Sequence, residues 1–179
     1  MQNDIQRVLF NVEELDNMCK RLGEQISKDY KGKELLIVGV LKGCNPFMAD
    51  LLKYITIPCK IDYIICSSYH GGTTSGGFVE LKKDVEQSVE NKHVIIVEDI
   101  VDTGRTLNMV SELFKERRCL SVEVCALLDK KEGRVVEFNA KYVGSDVENH
   151  FVVGYGLDYA ELYRNLPYIG ILKESVYKK

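Results

Sequence analysis

The chain has 179 residues, and 24 Lys and Arg against 27 Asp and Glu give it a formal charge of −3. That length suits one domain spanning 1–179, and a domain of this size buries roughly 70% of its unfolded surface without disulfide or metal staples. With 45% hydrophobic and 28% charged residues, disorder, collagen-like repeats and coiled coil are excluded, and the mildly acidic balance offers no footprint for nucleic acid.

The opening MQNDIQRVLF has no apolar core of the kind a secretion signal needs, and the longest apolar runs are only strand length, so no membrane span is expected. From 12 to 30, Val12, Leu15, Met18, Cys19, Leu22 and Ile26 recur at steps of three and four. With Asn11 and Glu14 as a capping pair, this predicts an amphipathic helix. ELLIVGVL (34–41) predicts a buried strand, and PFMADLLKYI a helix with Pro46 in its first turn. CKIDYIICSSY (59–69), HVIIVEDIV (93–101) and SVEVCALLDK (121–130) predict further strands, and LNMVSELFKERR the helix between the last two. HGGTTSGG (70–77) holds four glycines and predicts a mobile loop, a lid over about 68–78. The charged KKDVEQSVENK predicts a solvated connection. The fold class is thus α/β, an open, mostly parallel twisted sheet flanked by helices. A small hood is expected from the chain's ends, chiefly residues 147–179, with Tyr155, Tyr159 and Tyr163 packing it. The six cysteines form no CxxC pair and several sit in apolar runs, which predicts reduced thiols and a cytoplasmic protein.

Chemistry concentrates in Glu98, Asp99, Ile100, Val101, Asp102, Thr103, Gly104, Arg105 and Thr106. This stretch joins the end of an apolar strand to a helix, the place where open α/β sheets bind ligands. Glu98 and Asp99 can hold vicinal hydroxyls or a hydrated Mg²⁺. The turn from Asp102 to Thr106 offers free backbone N–H groups and a positive helix end to an anion. Taken singly, Asp102 or Thr103 reads as an ordinary helix cap. Taken together, the carboxylate pair and the turn suit a sugar phosphate. No GxxxxGK[ST] or GxGxxG occurs, and His70, His93 and His150 fit no zinc motif.

VIIVEDIVDTGRTL resembles the phosphoribosyl pyrophosphate binding motif of the type I phosphoribosyltransferases. LKGC, SSYHGG, LLDK and FVVGYGLDYAELYRNLPY follow in the order of the hypoxanthine-guanine branch, the last block being specific to 6-oxopurine enzymes. The resemblance implies transfer of phosphoribose to hypoxanthine or guanine, with Mg²⁺, in a homodimer or homotetramer. It implies that Glu98 and Asp99 hold the ribose hydroxyls, partly through Mg²⁺, that Asp102 to Thr106 wrap the 5′-phosphate, and that Asp102 is the acid or base at purine N7. It implies that Lys42 and Gly43 meet pyrophosphate after a cis peptide bond, and that Ser68 and Tyr69 root the closing loop. Lys130 matches the donor to the 6-oxo group, Phe151 the aromatic on the base, and Val152 the backbone that reads the purine edge. Asp158 matches a second Mg²⁺ contact and Arg164 a pyrophosphate contact. Cys44 stands where a second glycine is common and Arg105 where Lys is common, while DVENH lacks the family's Pro and Asp. The choice among hypoxanthine, guanine and xanthine therefore stays open. A regulator of the same fold that binds RNA would need a basic face.

Overall fold

The computed structural model describes residues 1–69 and 78–178. A short strand β1 (Ile5–Phe10) leads to helix α1 (Val12–Asp29), which Asn11 and Glu14 start with a complete capping box. Strand β2 (Leu35–Leu41), helix α2 (Asn45–Lys53), β3 (Cys59–Tyr69), β4 (Phe78–Lys83), β5 (His93–Val101), α3 (Arg105–Glu116), β6 (Ser121–Asp129) and β7 (Tyr142–Asp146) follow. Strands β8 (Val152–Val153) and β9 (Ile169–Leu172) and a one-turn helix α4 (Glu174–Tyr177) complete the chain.

Six strands form the main sheet in the order β4-β3-β2-β5-β6-β7. All neighbours are parallel except the β3–β4 pair. Because β2 is followed by β3 on one side while β5 lies on the other, the order reverses between β2 and β5, and the loops leaving these two strands open a crevice at their carboxyl ends. The central strands β2 and β5, and the second half of β6, bury both faces. Ile37, Ile95 and Val97 meet Leu15, Leu22, Ile26, Phe47 and Leu51 of α1 and α2, while Leu36, Val38, Val94 and Ile96 meet Val110 and Phe114 of α3. Each such side chain contributes about 1.5–3 kcal/mol by leaving water.

The hood is a separate antiparallel sheet in the order β1-β9-β8. Its inner side chains Val152, Ile169 and Ile171 join the α1/α2 core, so it sits on the same molecule-wide packing rather than beside it. The expected hood is present, and β1 is its unforeseen strand. One other detail differs from expectation. The 82–92 connection is anchored, since Val89 is buried, the Asp62 carboxylate accepts from Glu86 and Gln87 N–H and Asp84 pairs with Arg117. The tyrosines pack as expected: Tyr155 and Tyr163 are buried and Tyr159 packs against the small core of Val153, Tyr163, Leu166 and Leu172, on a backbone in which Tyr155, Ala160, Glu161 and Tyr163 have positive φ.

Candidate active site

At the end of β5 the strand's last acids meet the loop after β2. A Cβ added to Gly43 would collide with the Asp99 carboxylate, so only glycine lets the β2 loop lie against that acid. Asp99 is buried and accepts from Ile100 N–H at 2.8 Å. Withdrawal from water, then the charge of Asp99 beside it, raises the Glu98 pKa well above the ordinary carboxylate range. Withdrawal from water raises Asp99 as well, partly offset by its bond to Glu98 and by the Arg164 charge. The pair therefore favours a positive or donating partner, which either ribose hydroxyls or a divalent cation supplies.

The turn into α3 lacks the side-chain cap that the ordinary capping explanation demands. Gly104, at φ 79°, is the cap residue and no side chain caps the helix start. The contact nearest to a cap, from Arg105 N–H to the Thr103 hydroxyl, is stretched to 3.4 Å. Helix α1, by contrast, spends two side chains on its cap. An open cavity of about 270 Å³ lies over this turn, lined by Glu98 and by residues 100–107. Orphan N–H groups at a positive helix end facing a cavity form an anion cradle.

A second cluster forms where the hood meets the β2 loop. The Leu41–Lys42 peptide is cis. Lys42 pairs with Glu161 at 2.8 Å, and Arg164 pairs with Asp158 at 2.9 Å and Glu161 at 3.2 Å. Gly156 packs against the Gly43 carbonyl, where any Cβ would collide, and the Tyr155 hydroxyl donates to Asp50 of α2 at 2.6 Å. These contacts bring Asp158 and Arg164 to Lys42 across more than a hundred residues of sequence. Arg164 Nε is buried without an acceptor among the described residues. Cys44 adopts an ordinary right-handed backbone with its side chain fully buried, so a second glycine is not needed here, and burial pushes its thiol up and keeps it inert.

On the third side, the Lys130 ammonium lies 3.7 Å from the Asp102 carboxylate. Lys130 falls one residue past β6 rather than closing it. Phe151 precedes β8, 37% exposed rather than in the core. Its ring stacks on Tyr177 at 4.8 Å and meets Tyr159 edge-on at 5.6 Å. Val152 lies opposite Ile171, while Leu172 N–H goes to the Phe151 carbonyl. That makes Val152 part of a non-hydrogen-bonded pair, so its own N–H and C=O point off the open edge of the hood sheet. Ser68 and Tyr69 reach the end of β3. Their side chains, and residues 70–77 of the lid expected over about 68–78, lie outside the described residues.

Two residues in this region are not among the site residues read from the sequence. Glu161 bridges Lys42 and Arg164, and Arg134 bonds the carbonyls of Val101 and Asp102. The first lies within the FVVGYGLDYAELYRNLPY block, three residues before Arg164; nothing local signals the second.

Residues 11–160 match the model of the phosphoribosyl transferase domain family. The hypoxanthine-guanine phosphoribosyltransferase of Streptococcus mutans is 54% identical over 179 residues, covering 100% of this chain and 99% of the relative. That of Streptococcus pneumoniae strain R6 is 53% identical over 177 residues, covering 99% and 98%. A hypoxanthine phosphoribosyltransferase crystal structure from Staphylococcus aureus superposes with a TM-score of 0.96 at 52% identity, covering 100% of this chain and 97% of that one. Sheet order, the uncapped turn into α3 and full-length similarity agree: the chain belongs to the phosphoribosyltransferase family, in its hypoxanthine-guanine branch.

Proposed function

We infer that the chain transfers the 5-phosphoribosyl group of phosphoribosyl pyrophosphate to N9 of hypoxanthine or guanine, giving IMP or GMP and pyrophosphate. The observation that carries this reading is the pairing of Lys130 and Asp102 at 3.7 Å beside an uncapped turn built for phosphate. Lys130 donates to the 6-oxo group, which an adenine amino group cannot accept. Phe151 lies along the base, and the outward backbone of Val152 reads its edge. The turn from Asp102 through Thr103, Gly104 and Arg105 to Thr106 holds the 5′-phosphate. Lys42, Gly43 and Arg164 hold the pyrophosphate, and the buried Nε of Arg164 finds its acceptor there.

As the C1–oxygen bond to pyrophosphate breaks and the N9–C1 bond forms, the purine ring becomes cationic and Asp102 takes the proton from N7. Positive charge builds at C1 on the way, and Glu98 and Asp99, at the ribose hydroxyls, lie on the side where it is stabilised. The loop rooted at Ser68 and Tyr69 excludes water from that centre. Mg²⁺ fits the donors present: the adjacent carboxylates of Glu98 and the buried Asp99 would hold one ion, and Asp158 would contact a second. A sparse carboxylate set suits an ion that keeps its water and phosphate ligands. When bound it neutralises the leaving group. The chain acts as one domain over 1–179, in the cytoplasm, as a homodimer or homotetramer. No helix among the described residues is long and apolar enough to cross a membrane.

The test is mononucleotide formation from phosphoribosyl pyrophosphate with Mg²⁺ and, separately, hypoxanthine, guanine, xanthine and adenine. IMP and GMP are expected, and nothing from adenine. Product mainly from xanthine would reassign the base. No product at all, with phosphoribosyl pyrophosphate still bound, would favour a regulator.

A further inference from the structure

Arg134 sits outside every stretch that touches substrate, yet its guanidinium joins three segments. Nη1 donates to the carbonyls of Val101 at 2.9 Å and Asp102 at 2.7 Å, Nε to that of Phe138 at 3.1 Å, and Nη2 to the Asp129 carboxylate. The ion pair is buried, its side chains 15% and 5% exposed. The neighbouring backbone acts on the same turn: Lys130 N–H goes to the Val101 carbonyl, and Val135 and Val136 N–H both go to that of Thr103. Three consecutive carbonyls, 101 to 103, are therefore drawn toward residues 130–136.

In a planar trans peptide the carbonyl and the next N–H point in opposite directions. Holding carbonyls 101 to 103 on one side turns the N–H groups of Asp102, Thr103 and Gly104 to the other. None of these three N–H groups has an acceptor among the described residues, and residues 102–104 line the cavity while 130–138 do not. The same segment sets the carboxylate of Asp102, which lies between Lys130 and Gly133: a Cβ on Gly133 would collide with it.

The geometry points to Arg134 as the positioning residue of the phosphate turn, working through Asp129 to aim backbone N–H groups at the 5′-phosphate and to fix Asp102 beside the base. This rests on reading 102–106 as the phosphate site. Only a planar fork with several donors reaches two successive carbonyls, a third carbonyl and a carboxylate at once; a lysine ammonium is a single point.

The test measures phosphoribosyl pyrophosphate binding with Mg²⁺ by titration calorimetry, and both KM values, in three variants of the whole chain. Arg134→Lys is expected to bind phosphoribosyl pyrophosphate at least tenfold more weakly and to raise its KM alike, with the hypoxanthine KM within about threefold of the parent. A lesion of stability alone lowers the active fraction and moves neither KM. If Arg134→Lys fails to fold, the double variant Arg134→Gln with Asp129→Asn leaves no buried unpaired charge and carries the same expectation. Thr106→Asp keeps a helix start that favours acids but repels phosphate, and is expected to lose binding at least a hundredfold. Normal binding in a folded Arg134 variant while Thr106→Asp is impaired would overturn the role of Arg134 alone. Normal binding in Thr106→Asp would overturn the phosphate site and the proposal with it.

Discussion

Replacing Asp102 by Asn separates the chemical role of this residue from its structural one. The carboxylate is half exposed and 3.7 Å from Lys130, so the ion pair is solvent-screened and worth at most about 1 kcal/mol. Asn has the same shape, and Gly133 leaves room for either oxygen or amide. Folding stability should therefore fall by no more than about 1 kcal/mol, a shift of roughly 2–4 °C for a chain of this length. The proton acceptor at N7 is lost altogether, and positioned proton transfer contributes about 10²- to 10⁴-fold. We predict a fall of that size, roughly 3–5 kcal/mol of barrier, in the single-turnover rate of IMP formation. Single turnover isolates the chemical step from product release. A single-turnover rate within fivefold of the parent, at matched binding of both substrates, would refute Asp102 as the base.

Lys130→Ala should raise the hypoxanthine KM by about 10-fold or more, since a buried 6-oxo acceptor left unpaired costs about 1–3 kcal/mol, and should narrow the preference over adenine; unchanged base selection in the four-base assay would contradict the assigned donor. Glu161→Gln releases Lys42 and Arg164 from a carboxylate that the pyrophosphate group must otherwise displace, so titration of pyrophosphate should show severalfold tighter binding, and weaker binding would mean that Glu161 builds the site. Gly43→Ala drives a methyl group into the Asp99 carboxylate; overpacking of this kind costs about 1–3 kcal/mol, read as a lowered melting temperature together with a raised phosphoribosyl pyrophosphate KM. In metal-free buffer the raised Glu98 and Asp99 pKa values mean that the folded chain binds more protons than the unfolded one above the ordinary carboxylate pKa. That contribution to stability is present at lower pH and is lost as pH rises through the raised values. Glu98→Gln should accordingly melt higher than the parent at pH 8, with the gap closing toward pH 5; a gap that widened on acidification would reverse the sign.

The central sheet was readable because β2, β5 and β6 are apolar on both faces and end in turn residues, a local signal. The acidic stretch was readable for the same reason: Glu98, Asp99 and the turn to Thr106 are contiguous. β1 was not, because Ile5–Phe10 leaves Val8 exposed, carries register shifts and has its partner at the other end of the sequence. The meeting of Lys42 with Asp158 and Arg164 could be assigned only by resemblance, since Tyr155, Gly156 and Asp50 dock that loop through contacts no spacing encodes. Arg134 was missed because it works on carbonyls, which every residue has.

The pairing of Ile5–Phe10 with Ile169–Leu172 bears on synthesis. The Tyr163 hydroxyl donates to Asp4 at 3.1 Å, and Lys173 N–H donates to the Asp4 carbonyl at 2.9 Å, so the loop carrying Asp158 and Arg164 is tied through Tyr163 to the residue before β1, which is itself held by the residue after β9. Contacts of such separation form late, because the chain must close its largest loop first. On the ribosome the main sheet and its turn into α3 can assemble while β1 still waits for a partner. The side of the cleft that carries Lys42, Asp158 and Arg164 is then the last to form, and a nascent chain completes it only once β9 has emerged.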